Sequence, residues 1–352
     1  MVKLYLGKSM EYLEKIDFVV TWVDSNDPEW IRSYNHYRPE KPITDDARFR
    51  NWNFFRYWFR AVERYAPWVN KVFLVTNGKF PDWINPECKK IKLVKHSDYI
   101  PEKYLPTFNS NTIELNLGRI EELSEHFVLF NDDIFINAPV KPDYYFRDGL
   151  PCDYNFESPY SNRLHTKENK FGIGITRYCN VAILNSHFNR KEVIRQAWNK
   201  WYGKHLWGKP LLLSLLMLGR EQFENFITFH LEESMLKSVF QEVWEKEPDA
   251  LDSSCSRFRL ETNLNQWLMR YWQLALNKFY PLRRKGITYE RYNEDILADL
   301  QKVLLEERTN SICINDNTYC SEKDFLLASK IIRECLEQKF PNTSIFEKPN
   351  KQ

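Results

Sequence analysis

Between two apolar runs, Phe127-Val-Leu-Phe130 and Ile134-Phe-Ile136, the chain places Asn131, Asp132 and Asp133. Adjacent carboxylates repel each other unless a cation or basic groups offset them, and hard oxygen ligands of this kind suit Mg²⁺ or Mn²⁺. The carboxyl ends of strands are also where open α/β sheets bind their ligands. The same residues would serve equally well as a turn or a helix cap. A second apolar run, Ile16-Asp-Phe-Val-Val-Thr-Trp-Val23, ends in acid as well, at Asp24 and then at Asp27 before Pro28. Asp27 reads as a helix N-cap followed by proline at the first helical position. Asp24 has no such explanation and stays a candidate for chemistry.

Three further groups could act with these acids. The stretch Leu105-Pro-Thr-Phe-Asn-Ser-Asn-Thr-Ile-Glu114 gathers Asn109, Ser110 and Asn111 at a helix entrance, where free amides and the positive end of the helix dipole suit a phosphate. Within it, Asn111 and Glu114 fit a capping box, and Glu114 fits equally a metal shell shared with the acidic strand ends. Arginine forks match phosphate oxygens, which singles out Arg56 and Arg60 on a long helix and Arg259 in Ser256-Arg-Phe-Arg259. His230 is a candidate acid or base, a structural role being the alternative. The sequence has no Walker loop, GxGxxG or GxSxG, so P-loop, dinucleotide and serine-hydrolase chemistry lack their signatures.

These residues need a frame. Strand-like runs recur at Asp17–Trp22, Val72–Thr76, Ile91–Val94, Phe127–Phe130 and Val181–Leu184, separated by helical spacing. That alternation predicts an α/β fold, a mixed or mostly parallel sheet flanked by helices. The first helix, Phe49 to Tyr65, puts Trp52, Phe55, Phe59 and Val62 on its core face. Beyond Asn189 the patterns are helical: Arg190–Trp201, Pro210–Gly219, Glu232–Glu245, Asn263–Asn277, Tyr292–Glu307 and Ser321–Gln338. The expected division is an α/β part over 14–188, a mainly helical part over 189–320 packed on the same site, and a C-terminal helix and tail over 321–352.

Composition bounds the function. At 352 residues, 43% hydrophobic and 28% charged, the chain can bury a sizeable core, and disorder is excluded. Its 12 Trp suit an aromatic core or a surface facing sugar or lipid. Fifty basic residues against 48 acidic are too balanced to argue for a nucleic-acid footprint, which would need a concentrated basic face, so nucleic acid is not an expected partner. Seven scattered Cys without a CxxC pair read as reduced thiols. The amino terminus lacks the apolar stretch of a secretory signal, and the run from Leu211 to Leu218 is too short to span a bilayer, so a cytoplasmic location is expected.

Taken together, these segments resemble the Stealth family, which includes the capsular polysaccharide phosphotransferases and the lysosomal-enzyme N-acetylglucosamine phosphotransferase. Four blocks carry the resemblance, in order. The first is Ile16 to Pro28, and the second runs from Arg48-Phe-Arg50 through Tyr65-Ala-Pro-Trp68 and Val75-Thr-Asn77 to Asn131-Asp-Asp133. The third centres on His230 and Ser256-Arg-Phe-Arg259, and the fourth is Cys313-Ile-Asn-Asp316. The resemblance implies transfer of a hexose-1-phosphate from a UDP-sugar to a hydroxyl of a growing capsular or cell-surface polysaccharide. UMP leaves, and a divalent cation, Mg²⁺ or Mn²⁺, assists.

Carried over by position, Asp24, Glu114, Asp132, Asp133, His230, Arg259 and Asp316 would line the active site. Asp132, Asp133 and Glu114 would hold metal, and His230 would be the base, with Asp316 its rival or orienting partner. Asn109, Asn111, Arg56 and Arg60 would contact substrate. A lipid-linked oligosaccharide or polysaccharide acceptor would bring the enzyme to the inner membrane face, where exposed aromatics and Lys/Arg of the helical half would dock. The rival readings are a metal-dependent glycosyltransferase that releases UDP and a non-catalytic carbohydrate-binding protein.

Overall fold

A computed structural model describes residues 15–38, 40, 52–159, 173–315 and 320–349. Its strands are β1 Ile16–Thr21, β2 Val72–Thr76, β3 Ile91–Lys95, β4 His126–Asn131, β5 Ile134–Ile136, β6 Phe146–Arg147, β7 Leu150–Asp153, β8 Glu233–Leu236, β9 Tyr280–Pro281, β10 Gly286–Tyr289 and β11 Ser311–Ile314. Its α-helices are α1 Pro28–Tyr37, α2 Phe55–Tyr65, α3 Ser110–Leu115, α4 Ile173–His187, α5 Arg190–Gln196, α6 Trp198–Trp201, α7 Lys209–Leu215, α8 Lys237–Lys246, α9 Pro248–Ser254, α10 Trp267–Ala275, α11 Glu294–Leu305 and α12 Glu322–Lys339. None of these helices is long and apolar enough to cross a membrane.

The central sheet runs β3-β2-β1-β4-β8, with the first four strands parallel and β8 antiparallel to β4. β1, β2 and β4 are almost wholly buried, which is why they read as continuous apolar runs rather than as alternation. One acid interrupts them. Asp17 is buried on β1, and its carboxylate is satisfied by the Asn70 side-chain amide at 2.6 Å and by the amides of Lys71 and Ser124 at 3.1 and 2.8 Å. α1 begins as the Asp27-Pro28 pair predicts, the Asp27 carboxylate accepting from the Glu29 amide at 3.1 Å.

The sequence reading departs from the structure in three places. Val181–Leu184 is not a strand but the middle of α4, where Asn180, Val181 and Leu184 are buried. The four-residue apolar run is outweighed by the longer helical period around it, which packs against α10. Glu232–Glu245 is not one helix: its first part is β8, because the open edge of β4 needs a partner for its backbone groups, and α8 follows. The first helix starts at Phe55, and Phe49 lies outside the described residues.

The later, mainly helical part contributes strands to the central sheet and to a second one. β8 from the later part completes the central sheet, and a second sheet, β10-β11-β5, joins elements from both sides of residue 188.

The C-terminal helix and tail close over α2. Arg60 makes a two-pronged ion pair with Glu347, both contacts at 2.7 Å, and donates to the Phe340 carbonyl at 2.8 Å. Arg64 donates to the Lys339 carbonyl at 2.6 Å, and Phe346 packs on Phe59. Because the Arg60–Glu347 pair is largely shielded from water, removing one partner leaves the other uncompensated. Glu347→Ala should lower stability by about 3 kcal/mol in denaturant unfolding; a loss below about 1 kcal/mol would mean the pair is solvated like an ordinary surface bridge.

Candidate active site

A cleft of ≈ 810 Å³ opens at the carboxyl ends of β1 and β4. This is where the strand order reverses, so the connections leaving the two strands diverge and leave a crevice between them. Thr21, Trp22 and Val23 reach it from β1, and Asn131, Asp132 and Asp133 from β4.

Asp132 and Asp133 form the two-residue turn between β4 and β5. Pairing of β5 with β11 fixes that turn. The Ile314 amide donates to the Asp133 carbonyl at 2.8 Å, and Cys313, paired with Ile134, brings its thiol to donate to Asp133 Oδ2 at 3.4 Å. His230 comes from the segment that leads into β8, with its carbonyl accepting from Thr288 Oγ1 at 3.2 Å. Its ring lies between the same groups: Nε2 is 3.9 Å from Asp133 Oδ2 and 3.4 Å from Asn131 Nδ2, and Nδ1 is 3.7 Å from Cys313 Sγ. Donor atoms of Asp133, His230 and Cys313 thus lie within 4.8 Å of one another.

The cleft is strongly acidic on one side. Asp132 opens onto it, yet the enclosing protein and the neighbouring Asp133 charge push its pKa up to about 7. Burial pushes Glu114 up to about 7 against the pull of Arg259, and pushes Glu233 up to about 8. Burial and the Asp133 charge hold the Cys313 thiol well above its usual range. Asp133 Oδ1 and Glu233 Oε2 are buried acceptors without a donor among the described residues.

These features fit a divalent cation. Two adjacent acids and an orphaned carboxylate oxygen supply hard donors, whereas Cys313, protonated and donating to Asp133, braces that carboxylate instead of offering a thiolate. Two arginines balance the acids. Arg177 on α4 donates to Thr228 Oγ1 at 2.6 Å with its guanidinium over the Trp267 ring, and Arg259 is hydrogen-bonded to Ser110 Oγ.

Of the residues singled out from the sequence, the structure brings Glu114, Asn111, Asp132, Asp133, His230 and Arg259 to this one cleft. Asp24 sits in the turn at its lip, between Val23 and Ser25, and its carboxylate accepts from the Asn26 amide at 3.0 Å. Asn109 is buried beneath the wall: it caps α3 through the Asn111 amide and its side chain donates to Ser256 and Asn263. Arg56 lies outside the cleft on an exposed face beside Trp83, and Arg60 is committed to Glu347. Asp316 lies outside the described residues.

The cleft also holds groups that the sequence did not single out, Arg177, Glu233 and Glu290, and the buried Cys313 thiol lies behind Asp133. Arg177 stands on a helix whose next turn resembles a strand, and Glu233 on a strand that resembles a helix. Nothing local marks Glu290.

Comparison with known proteins decides the family. The capsular polysaccharide phosphotransferase WcwK of Streptococcus pneumoniae is 39% identical over 345 residues, covering 96% of this chain and all of the relative. The chain belongs to the Stealth family. It is a transferase. The exopolysaccharide phosphotransferase cps2G of Lactiplantibacillus plantarum is 37% identical over 342 residues, covering 95% of this chain and 96% of that one. The receptor polysaccharide phosphotransferase WefC of Streptococcus gordonii is 36% identical over 344, covering 95% and 99%.

The models of Stealth conserved regions 1 and 2 match residues 14–42 and 48–152, so between them they carry both strand ends of the cleft together with Glu114. A solved structure, the apo WbbM bifunctional glycosyltransferase, matches 93% of this chain and about half, 52%, of its own at 10% identity. With a TM-score of 0.36, that likeness carries no argument about the Stealth site.

The Glu233 carboxyl gives a test of this electrostatic picture. Its folded pKa lies above the unfolded value, so the folded state binds the extra proton, and stability falls as pH rises from about 4.5 to about 8. Glu233→Gln removes that loss. Thermal melts should coincide with the parent at pH 5 and lie higher for the variant at pH 8.5; no gain at pH 8.5 would mean Glu233 is compensated.

Proposed function

We propose that this Stealth enzyme transfers a hexose-1-phosphate from a UDP-sugar to a hydroxyl of a growing capsular or cell-surface polysaccharide, releasing UMP. The observation that carries the reading is the meeting, in one cleft of ligand size, of the Asp132–Asp133 pair, His230 and two arginines. The names of the relatives, all polysaccharide phosphotransferases, support it.

In this reading Asp132 and Asp133, with Glu114 as a third acid, would hold Mg²⁺ or Mn²⁺. When bound, the cation lends positive charge to the diphosphate and to the departing UMP. The acceptor hydroxyl attacks the β-phosphorus in line; its oxygen forms the new P–O bond, the bridging P–O bond to UMP breaks, and the hydroxyl proton passes to His230 Nε2. An Nδ1–H aimed at Cys313 Sγ leaves Nε2 with the lone pair this requires, and Asp133 at 3.9 Å stabilises the imidazolium that forms. Arg259 and Arg177 match the equatorial phosphoryl oxygens. Asp24 shapes the lip of the site, Asn111 contacts substrate, and Asp316 is the rival base or the orienting partner of His230. The acceptor is a lipid-linked oligosaccharide or polysaccharide.

Nucleotide release from UDP-sugars, with Mn²⁺ or with EDTA, tests the chemistry. UMP formed only with metal is expected; UDP would make the enzyme a glycosyltransferase acting at the anomeric carbon. Asp132→Asn and Asp133→Asn should each lower the rate at least about 10²-fold and weaken Mn²⁺ binding measured by calorimetry. His230→Ala should lower kcat about 10²- to 10⁴-fold with little change in donor KM. If Asp316→Asn alone has that effect, the base is Asp316.

A further inference from the structure

Between Glu192 and Glu221 the sequence contains no acid but five bases, Arg195, Lys200, Lys204, Lys209 and Arg220. Within it, α7 and the turn that follows read Lys209-Pro-Leu-Leu-Leu-Ser-Leu-Leu-Met-Leu218. A helix on a water-facing surface turns its apolar residues inward and its polar ones out. Here several large apolar residues face outward while a serine faces in. Ser214 and Met217 are buried, while Leu212 and Leu216 are 63% and 64% exposed and Trp207, at the tip before the helix, is 82% exposed.

This posture is held from beneath by a built network. Arg190, fully buried, pairs with Glu157 at 2.8 and 2.9 Å and donates to the Met217 carbonyl at 2.7 Å and to Tyr202 Oη at 3.0 Å. Gly208, at φ +88°, provides the left-handed corner that sends the chain from Trp207 into α7.

We infer that Trp207 and the outer face of α7 form a docking surface for an anionic lipid bilayer. Charge complementarity selects this occupant. Lys204 and Lys209 flank Trp207, both are exposed, and no acid pairs with either among the described residues. Lys200 is spent on the Asn277 carbonyl, and Arg220 pairs with Glu224, so the two lysines beside the tryptophan are the contacts for lipid phosphates. An amphipathic ring at headgroup depth, leucines below it and lysines above it is the arrangement of a segment that lies on a membrane. The apolar stretch is too short to span one. The inference does not rest on the donor or on the nucleotide released, since binding is read without substrate.

Cosedimentation of the full chain with phosphatidylglycerol vesicles, against phosphatidylcholine vesicles, tests it. The parent should bind the anionic vesicles and release in high salt. A Trp207→Ser/Leu212→Ser/Leu216→Ser variant and a Lys204→Glu/Lys209→Glu variant should each lose about ten-fold or more in apparent affinity. Both should keep the parent's circular dichroism and its turnover of a water-soluble acceptor. The charge variant alters only exposed side chains, so it answers even if the apolar variant folds poorly. Equal binding by parent and charge variant overturns the inference. So does a parent that ignores the vesicles and forms a dimer that the apolar variant abolishes, which would give this face to a second copy of the chain.

Discussion

Two carboxylates on consecutive residues, in a turn between two buried strands, are the constraint from which the site follows. Asp132 and Asp133 cannot move apart, because β4 and β5 hold the turn from both sides and β11 bonds to its backbone. Their like charges repel, and the Asp133 charge raises the cost of ionising Asp132. The protein answers this repulsion in part by aiming a thiol at Asp133. It stops short of full neutralisation, since Asp133 Oδ1 has no donor among the described residues. A site that retains unspent negative charge is prepared for a cation.

The remaining architecture puts that turn where a ligand can reach it. The reversal of strand order between β1 and β4 opens the crevice, and elements from the later half wall it: the segment before β8 carries His230, and β11 carries Cys313. No single stretch of chain contains the site. The Arg60–Glu347 pair and the aromatic packing of α2 do not touch substrate in this picture; they tie the tail onto the first helix and keep the sheet's outer layer in place.

Local chemistry made part of this visible before any tertiary contact was known. A strand that runs into Asn-Asp-Asp fits a turn or cap as well as a metal site, and Asp27-Pro28 fits a helix start, so the acidic strand end and the start of α1 were legible from residue types alone. Arginine types were less informative. Arg56 and Arg60 share a helix with the core-facing Trp58 and Phe59, but the helix turns them toward Trp83 and Glu347 rather than toward the cleft. Asn109 was legible as a polar residue at a helix entrance; its burial under Ser256 and Asn263 was not.

The sequence by itself determined the α/β layering, the acidic strand ends and the family, because these depend on residues adjacent in the chain and on the order of long segments. Tertiary structure alone decided that β8 is a strand, that Val181–Leu184 is helical, that Arg177, Glu233 and Glu290 share a cleft with Asp132 and Asp133, and that Cys313 backs Asp133. The reason is physical. An edge strand forms to satisfy the backbone of its neighbour, and a pKa shifts because folding buries the group, effects that no short stretch of sequence displays.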